Sequence, residues 1–335
     1  MKAFAFKNIP FEVKNSSSGG AFIACCQMFE QQYGIGNVAF CGAELKDDMT
    51  VSHDIVYSAK ECKRFQGSKY VRSNTNNIYQ RVAKLLLQGK AVLFSGTPCQ
   101  VAALKTVLTN KKVCMDRMLT IDIICHGTPD VRIWETYKTW IEKKTGGKLI
   151  NYSFRYKPEG WYGYPAYAEF DNGVKLIDTK ETSVFSKLHL MGFSITKGCF
   201  KCPFSNMKRI GDITLGDFWG IENEQLDIDA GDGVSLVLAN TNRGIDIVTG
   251  IAQLGTVLPV LGTGYIKNQH NLSCPTEKPQ KYDDFWEDMK SCDFDKMLSV
   301  YLGYGWAYAV KYNLRNLGKK TGALELYRKV MRKNK

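Results

Sequence analysis

Twice in this sequence an apolar run of strand length ends in a turn that carries a cysteine, and a helical pattern begins at once. The first is AVLFS, GTPC, QVAALKTVL (91–108), and the second is MLTIDII, CHGTPD, VRIWETYKTW (118–140). Strand, turn and helix alternating in this way is the pattern of a parallel sheet with crossover helices. In such sheets the loops after the strands' carboxyl ends lie together on one rim, where ligands bind. Cys99 and Cys125 are therefore expected at neighbouring positions of that rim. Residues 36–57 read as two strands around a polar turn, and 75–88 as an amphipathic helix opened by Thr and Asn. The expected fold class is α/β: a mixed or parallel sheet with crossover helices, cysteine-bearing loops on one rim, and a helical C-terminal tail. With 335 residues, 44% of them apolar, the chain can bury a core without covalent staples.

The cysteines then narrow the chemistry. No apolar run approaches the roughly 18–20 residues that span a bilayer, and the start MKAFAFKNIPFEVK has no apolar signal segment with a cleavage site, which points to the cytoplasm. In that compartment 11 cysteines are poor candidates for disulfides. Cys25 and Cys26 lie in the apolar helical pattern AFIACCQMF, where cysteine acts as a small hydrophobe. Cys41, Cys62, Cys114, Cys274 and Cys292 stand alone. Cys99 (SGTPCQ), Cys125 (IICHGTP) and the pair Cys199 and Cys202 (GCFKCPF) all sit on Gly- or Pro-marked turns, where thiolates from different loops can converge. Four thiolates suit tetrahedral zinc or an iron–sulfur cluster, and the CxxC spacing is also that of redox-active pairs. Pro203 resembles the Cys-Pro ending of ferredoxin runs, but the compact four-cysteine run is absent, so any cluster here is assembled from distant loops.

SSSGGAF (16–22), GSKYVRS (67–73), VLFSGTPCQVAALK (92–105), DIICHGTP (122–129), CFKCPF (199–204) and DITLGDFWGI (212–221) occur in that order. Together they resemble the coenzyme F420 hydrogenase/dehydrogenase beta-subunit family over about residues 12–245. The resemblance implies an electron-transfer subunit or reductase that binds FAD beside a 4Fe-4S cluster and passes electrons between one-electron carriers and a hydride acceptor. Cys99, Cys125, Cys199 and Cys202 stand inside the matching blocks and are the implied metal ligands. The implied flavin contacts are Ser17, Ser18, Gly19 and Gly20 at a helix start, Gly67, Ser68, Lys69 and Tyr70 in GSKY, Gly96, Thr97 and Gln100 around GTPCQ, and Trp219. Free amides and hydroxyls at a helix start can hold a pyrophosphate, although SSSGG also reads as an N-cap with a flexible loop. His126, next to Cys125, is a candidate to relay a proton or to hydrogen-bond a sulfur. Asp217 is the second catalytic candidate, to bind a hydroxyl or to hold its loop. His53, His189 and His270 sit in no constellation.

The resemblance divides the chain into a flavin-binding region (1–90), a cysteine-bearing region (91–249) and a tail (250–335) with no matching motif. The tail ends in YNLRNLGKKTGALELYRKVMRKNK, whose basic residues suit an anionic membrane surface or an acidic partner, or a solvated helix packed on the core. The net charge of +12 comes with no recognisable nucleic-acid motif. No ferredoxin module precedes the SSSGG block, so the electron donor is expected to be a separate ferredoxin-like carrier. The expected acceptor is sugar- or polyprenol-linked. Two other readings remain: a non-catalytic electron-transfer subunit of a larger F420- or ferredoxin-linked complex, and a zinc-stabilised binding module.

Overall fold

Neighbouring strands of one sheet carry the two cysteine turns. A computed structural model describes residues 1–305 apart from 158, 159 and 164. Its strands are β1 (Lys2–Asn8), β2 (Val38–Leu45), β3 (Val51–Val56), β4 (Ala91–Gly96), β5 (Met118–Ile123), β6 (Leu149–Ser153), β7 (Tyr167–Phe170), β8 (Lys175–Ile177), β9 (Ile213–Asp217), β10 (Ser235–Ala239) and β11 (Gly255–Val260). Eight form a mixed sheet in the order β11-β1-β10-β9-β5-β4-β2-β3, and β6-β7-β8 form a small antiparallel one. The centre, β2-β4-β5-β9, is parallel, and the outer strands join through antiparallel ladders.

The central strands open on apolar runs because both sheet faces are covered. On β4, Ala91 and Leu93 face the core built on helix Ala21–Tyr33, while Val92 and Phe94 face the core built on helix Pro98–Asn110. Val38 and Phe40 of β2 follow the first face, and Ala39 and Cys41 the second. Each large side chain so buried contributes about 1.5–3 kcal/mol. Cys25, Cys26, Cys41 and Cys62 are buried in these cores, the first two as the apolar pattern AFIACCQMF suggests.

The elements expected at 36–57, 75–88, 91–108 and 118–140 are present as β2 and β3, helix Ile78–Leu87, β4 with helix Pro98–Asn110, and β5 with helix Val131–Thr145. Between β5 and β9 the chain leaves the main sheet to build a second, aromatic core. There Trp134, Tyr137, Tyr152, Phe154 and Phe185 pack helices Val131–Thr145 and Lys180–Leu190 against β6-β7-β8. This excursion carries the CFKC turn and returns it to the rim.

Residues 251–305 are built into the same structure. β11 pairs along β1 from Val260↔Ala3 to Gly255↔Asn8, and helices Tyr282–Asp288 and Phe294–Leu302 insert Phe285, Phe294, Met297 and Leu298 into the aromatic core. The basic helix expected over 312–335 lies outside the described residues. Among the described residues no helix is long and apolar enough to cross a membrane.

Candidate functional site

Cys99, Cys125, Cys199 and Cys202 line one small pocket, of about 30 Å³, at the carboxyl ends of β4 and β5. Cys99 is the second residue of helix Pro98–Asn110, at a helix N-terminus that favours an anionic ligand. The Thr97 hydroxyl lies 3.1 Å from its Sγ. Cys125 follows β5 by two residues. Its thiol is pushed up to about 12, first by burial and also by the three other cysteines, against a lowering contact from the Gly127 N–H. A metal would displace that proton. Cys199 and Cys202 belong to the 3₁₀ turn Lys197–Lys201 and its cap, in which Cys199 N donates to Thr196 O at 2.8 Å and Cys202 N to Cys199 O at 3.2 Å. Thr128 Oγ1 is 3.6 Å from Cys199 Sγ. The four thiols surround an opening, and among the described residues no three His, Cys, Asp or Glu side chains converge to hold a single ion.

Three features bring the distant CFKC turn to the rim. Pro129 and Ile195 form an antiparallel bridge, flanked by Thr196 N donating to Thr128 O at 2.9 Å and Asp130 N to Ser194 O at 2.8 Å. Gly127 makes the close approach possible: its φ is +118°, and a Cβ there would lie 2.8 Å from Ile195 Cγ2 and 3.4 Å from Cys199 Cβ. On the far side, buried Arg209 pairs with buried Asp122 of β5 at 3.0 Å and donates to the carbonyls of Phe204 and Ile123, each at 3.0 Å. The loop that leaves Cys202 is thereby tied back to the strand that leads to Cys125.

A cavity of about 490 Å³ lies against the same rim, a volume in the range of small-molecule and cofactor sites. Cys125, His126, Gly127 and Thr128 line both the cavity and the cysteine pocket, so one loop is the wall between them. Ser17, Ser18, Gly20, Gly67, Ser68, Lys69, Tyr70, Gly96, Thr97, Gln100, Asp217 and Trp219 all line the cavity. Gly19 does not line it. A Cβ there would sit 2.2 Å from Phe6 O and 2.5 Å from Ser235 N, so this glycine lets the serine loop cross the sheet.

Several of these side chains are already committed. Ser17 Oγ accepts from Ser68 N at 2.8 Å, and Ser18 Oγ donates to Val234 O at 2.8 Å. Gln100 accepts from Thr97 N at 3.0 Å, capping its helix, and donates to Ser73 Oγ at 2.8 Å. Lys69 turns its ammonium inward to Phe65 O (2.8 Å) and Gln66 O (2.7 Å), and burial pushes it down to about 7. Two of its three donors are thereby used. Lys157 stitches the serine loop in place through Val13 O, Ser18 O and Asp232 O.

Asp217, at the end of β9, is held rather than free. One carboxylate oxygen pairs with buried Arg155 and the other accepts from Trp161 Nε1 at 3.1 Å, while its carbonyl accepts from Gln269 Nε2 at 2.6 Å. Trp219 stacks on Trp161 at 4.7 Å and 7°.

Two histidines without a constellation in the sequence have one in the fold. His189 and His270 both line the cavity. His189 stacks on Tyr70 at 5.0 Å and meets His126 edge-on at 5.1 Å, and burial pushes it down to about 3. Burial also lowers His126. Among the described residues, His126 Nε2 and His189 Nδ1 are buried without a hydrogen-bond partner. Tyr70, His189 and His126 thus form a line of neutral rings from the cavity to the cysteine loop. His53 instead stacks on Phe94 and contacts Ser95 O, beside β4.

A strap over residues 268–276, beyond every matching motif block, spans both pockets. Asn268, Gln269, His270 and Asn271 line the cavity, Thr276 lines the cysteine pocket, and the Thr276 hydroxyl donates to His126 O. Neither this strap nor Arg155 or Arg209 carries a sequence signal; tertiary folding alone brings them to the site.

Over residues 89–258 the sequence matches the family model that describes the C terminus of the coenzyme F420 hydrogenase/dehydrogenase beta subunit. The chain belongs to this family. Its members are named as subunits of oxidoreductases, and the matched region contains all four pocket cysteines, Arg209 and Asp217. The serine loop, GSKY and the strap flank it. The structure is also similar to a chain in the xenon-derivatised F420-reducing [NiFe] hydrogenase complex from Methanosarcina barkeri, with a TM-score of 0.55, 14% identity, and coverage of 88% of this chain and 94% of that one. At that identity the likeness is one of fold. No curated protein matches the sequence.

Proposed function

We propose that this member of the F420 hydrogenase/dehydrogenase beta-subunit family is an iron–sulfur flavoprotein oxidoreductase. Cys99, Cys125, Cys199 and Cys202 would hold a [4Fe-4S] cluster and the 490 Å³ cavity would hold FAD. One observation carries the reading: the loop Cys125–Thr128 is at once a wall of the four-cysteine pocket and a wall of the cavity. Bound at these places, the cluster supplies one-electron chemistry and the flavin supplies the exchange between single electrons and a hydride.

The chain's own groups fit both. The donor set is all thiol, with the Thr97 and Thr128 hydroxyls near two of the sulfurs. Across the cavity, the loop before helix Ala21–Tyr33 offers backbone amides to a pyrophosphate, and a bound anion would draw the buried Lys69 to its ammonium form. Tyr70, His189 and His126 exclude water between the two pockets. Asp217 acts through Arg155 and Trp161, keeping the Trp219 wall in place.

A ferredoxin-like carrier is the donor in this reading. The acceptor is a sugar-linked molecule, in keeping with the neutral hydrogen-bonding wall of Asn268, Gln269 and Asn271. A second reading, an electron-transfer subunit that needs partners for chemistry, is favoured by the hydrogenase complex that contains the similar chain. The test is a titration of anaerobically purified, flavin-depleted protein with FAD. Quenched flavin fluorescence at one equivalent, weakened in Lys69→Met and Tyr70→Ala, supports the reading; protein that leaves FAD fluorescence unchanged overturns it.

A further inference from the structure

The turn that carries Cys199 and Cys202 is also a basic surface. Lys197, Lys201 and Lys208 are exposed and lie within a twelve-residue stretch that has no acidic side chain. None of the three makes an ion pair among the described residues. Asp283, which is near enough to feel Lys197, is paired with Lys278 instead. Cys199 and Cys202 on this turn are half-buried, and Cys99, across the pocket, is exposed, so the four-cysteine pocket lies close to solvent.

The face is also rigid. Phe200 packs edge-on against Tyr282 at 4.9 Å, the 3₁₀ turn is closed by its own backbone bonds, and Arg209 ties its exit to β5. Three unpaired ammonium groups, two on the turn and one on the loop that leaves it, gain nothing for the fold, since paired or dispersed charges would repel less. They do create a local positive potential that steers an oppositely charged partner into one orientation.

We propose that Lys197, Lys201 and Lys208 form the docking face for a small acidic electron-carrier protein, seated over the CFKC turn. The proposal rests on the reading of the four cysteines as the chain's redox-active pocket. Each encounter moves one electron: the carrier is oxidised by one, the chain's bound centre is reduced by one, and no bond is made or broken. The long aliphatic stems let the ammonium groups reach the partner's carboxylates.

The experiment uses the full chain, purified without oxygen, and an acidic two-cluster ferredoxin as the probe. Binding is measured by calorimetry and electron transfer by stopped-flow, for wild type, for K197E/K201E/K208E, and for the control K60E/K111E/K148E on remote surfaces. Wild-type affinity is expected to fall at least about tenfold between low and physiological salt, and the first triple variant to bind about a hundredfold more weakly at low salt. The control is expected to bind like wild type, and dithionite is expected to reduce all three proteins alike. Equal binding by both triple variants overturns the proposal, as does salt-independent binding of wild type. Uptake of wild type by phosphatidylglycerol vesicles, lost in K197E/K201E/K208E, with no ferredoxin binding, overturns it in favour of a membrane contact. The calorimetric result stands apart from cofactor content, so a chain without iron or flavin removes the cysteine reading and a loaded chain that ignores ferredoxin removes the docking face alone.

Discussion

Arg209 and Asp122 meet at 3.0 Å with side chains 1% and 0% exposed, and this pair fastens the loop after Cys202 to the strand before Cys125. Asp122 also accepts from Gly211 N at 2.8 Å and Thr214 Oγ1 at 2.6 Å, so its charge is fully surrounded by donors. Removing the guanidinium leaves a buried carboxylate short of its partner. Arg209→Met is therefore expected to lose about 3–5 kcal/mol of stability. Urea denaturation checks the loss. Wild-type stability in this variant would mean that the pair does not fasten the turn.

Gly127→Ala separates the fold from the cysteine pocket. The added methyl meets Ile195 at 2.8 Å in a backbone conformation that disfavours side chains. The loop has to shift, at a cost of about 1–3 kcal/mol. The expected result is a folded protein by circular dichroism that retains a fraction of the wild-type metal. Unchanged metal content would show that the loop tolerates the side chain.

The burial of Lys69 predicts a pH dependence for the cavity. Burial moves it from an ordinary 10.5 to about 7, so in the ligand-free fold above pH 7 the amine is largely neutral. The unfolded chain holds that proton up to about 10.5, so stability of the ligand-free protein rises with pH across this window. An anionic pyrophosphate favours the ammonium and reverses the preference. FAD bound there would therefore take up a proton, and its affinity is expected to fall as pH rises from about 7, by at most about tenfold per pH unit. Lys69→Met is expected to flatten the profile. A wild-type affinity constant with pH would remove Lys69 from the ligand's neighbourhood.

Asp217→Asn tests whether that residue is chemical or positional. Both carboxylate oxygens are engaged, and Arg155 beside it is 2% exposed. The amide keeps a partner for Trp161 but leaves Arg155 without its countercharge. A loss of about 3 kcal/mol in stability and weaker FAD binding are expected, with the pH profile of turnover unmoved. A lost limb in that profile would instead make Asp217 a proton-transfer group.

The sheet was legible because local chemistry and tertiary placement coincide there. Ala91 to Phe94 are apolar at every position since both faces of β4 are covered, and Thr97 with Pro98 and Gln100 mark the next helix start in three residues. Those same signals place Cys99 and Cys125 on one rim. His189 was opaque because it sits in KLHLMGF, an apolar helix end with no motif around it. What makes it part of the site is Tyr70 on one side and His126 on the other, 119 and 63 residues away in sequence. Arg209 in NMKRIGD reads as a loop cation until Asp122 is seen beneath it. The strap at 268–276 has polar residues of ordinary loop type, and its role follows from where β11 and the helices after it deliver the chain.

The central claim is tested most directly by the iron, acid-labile sulfide, zinc and FAD content of protein purified without oxygen, beside Cys125→Ser prepared in the same way. About four iron, four sulfide and one FAD per chain are predicted, with the iron lost from the variant. Zinc in the wild-type protein, with neither sulfide nor flavin, would contradict the account and leave the four cysteines as a structural metal site.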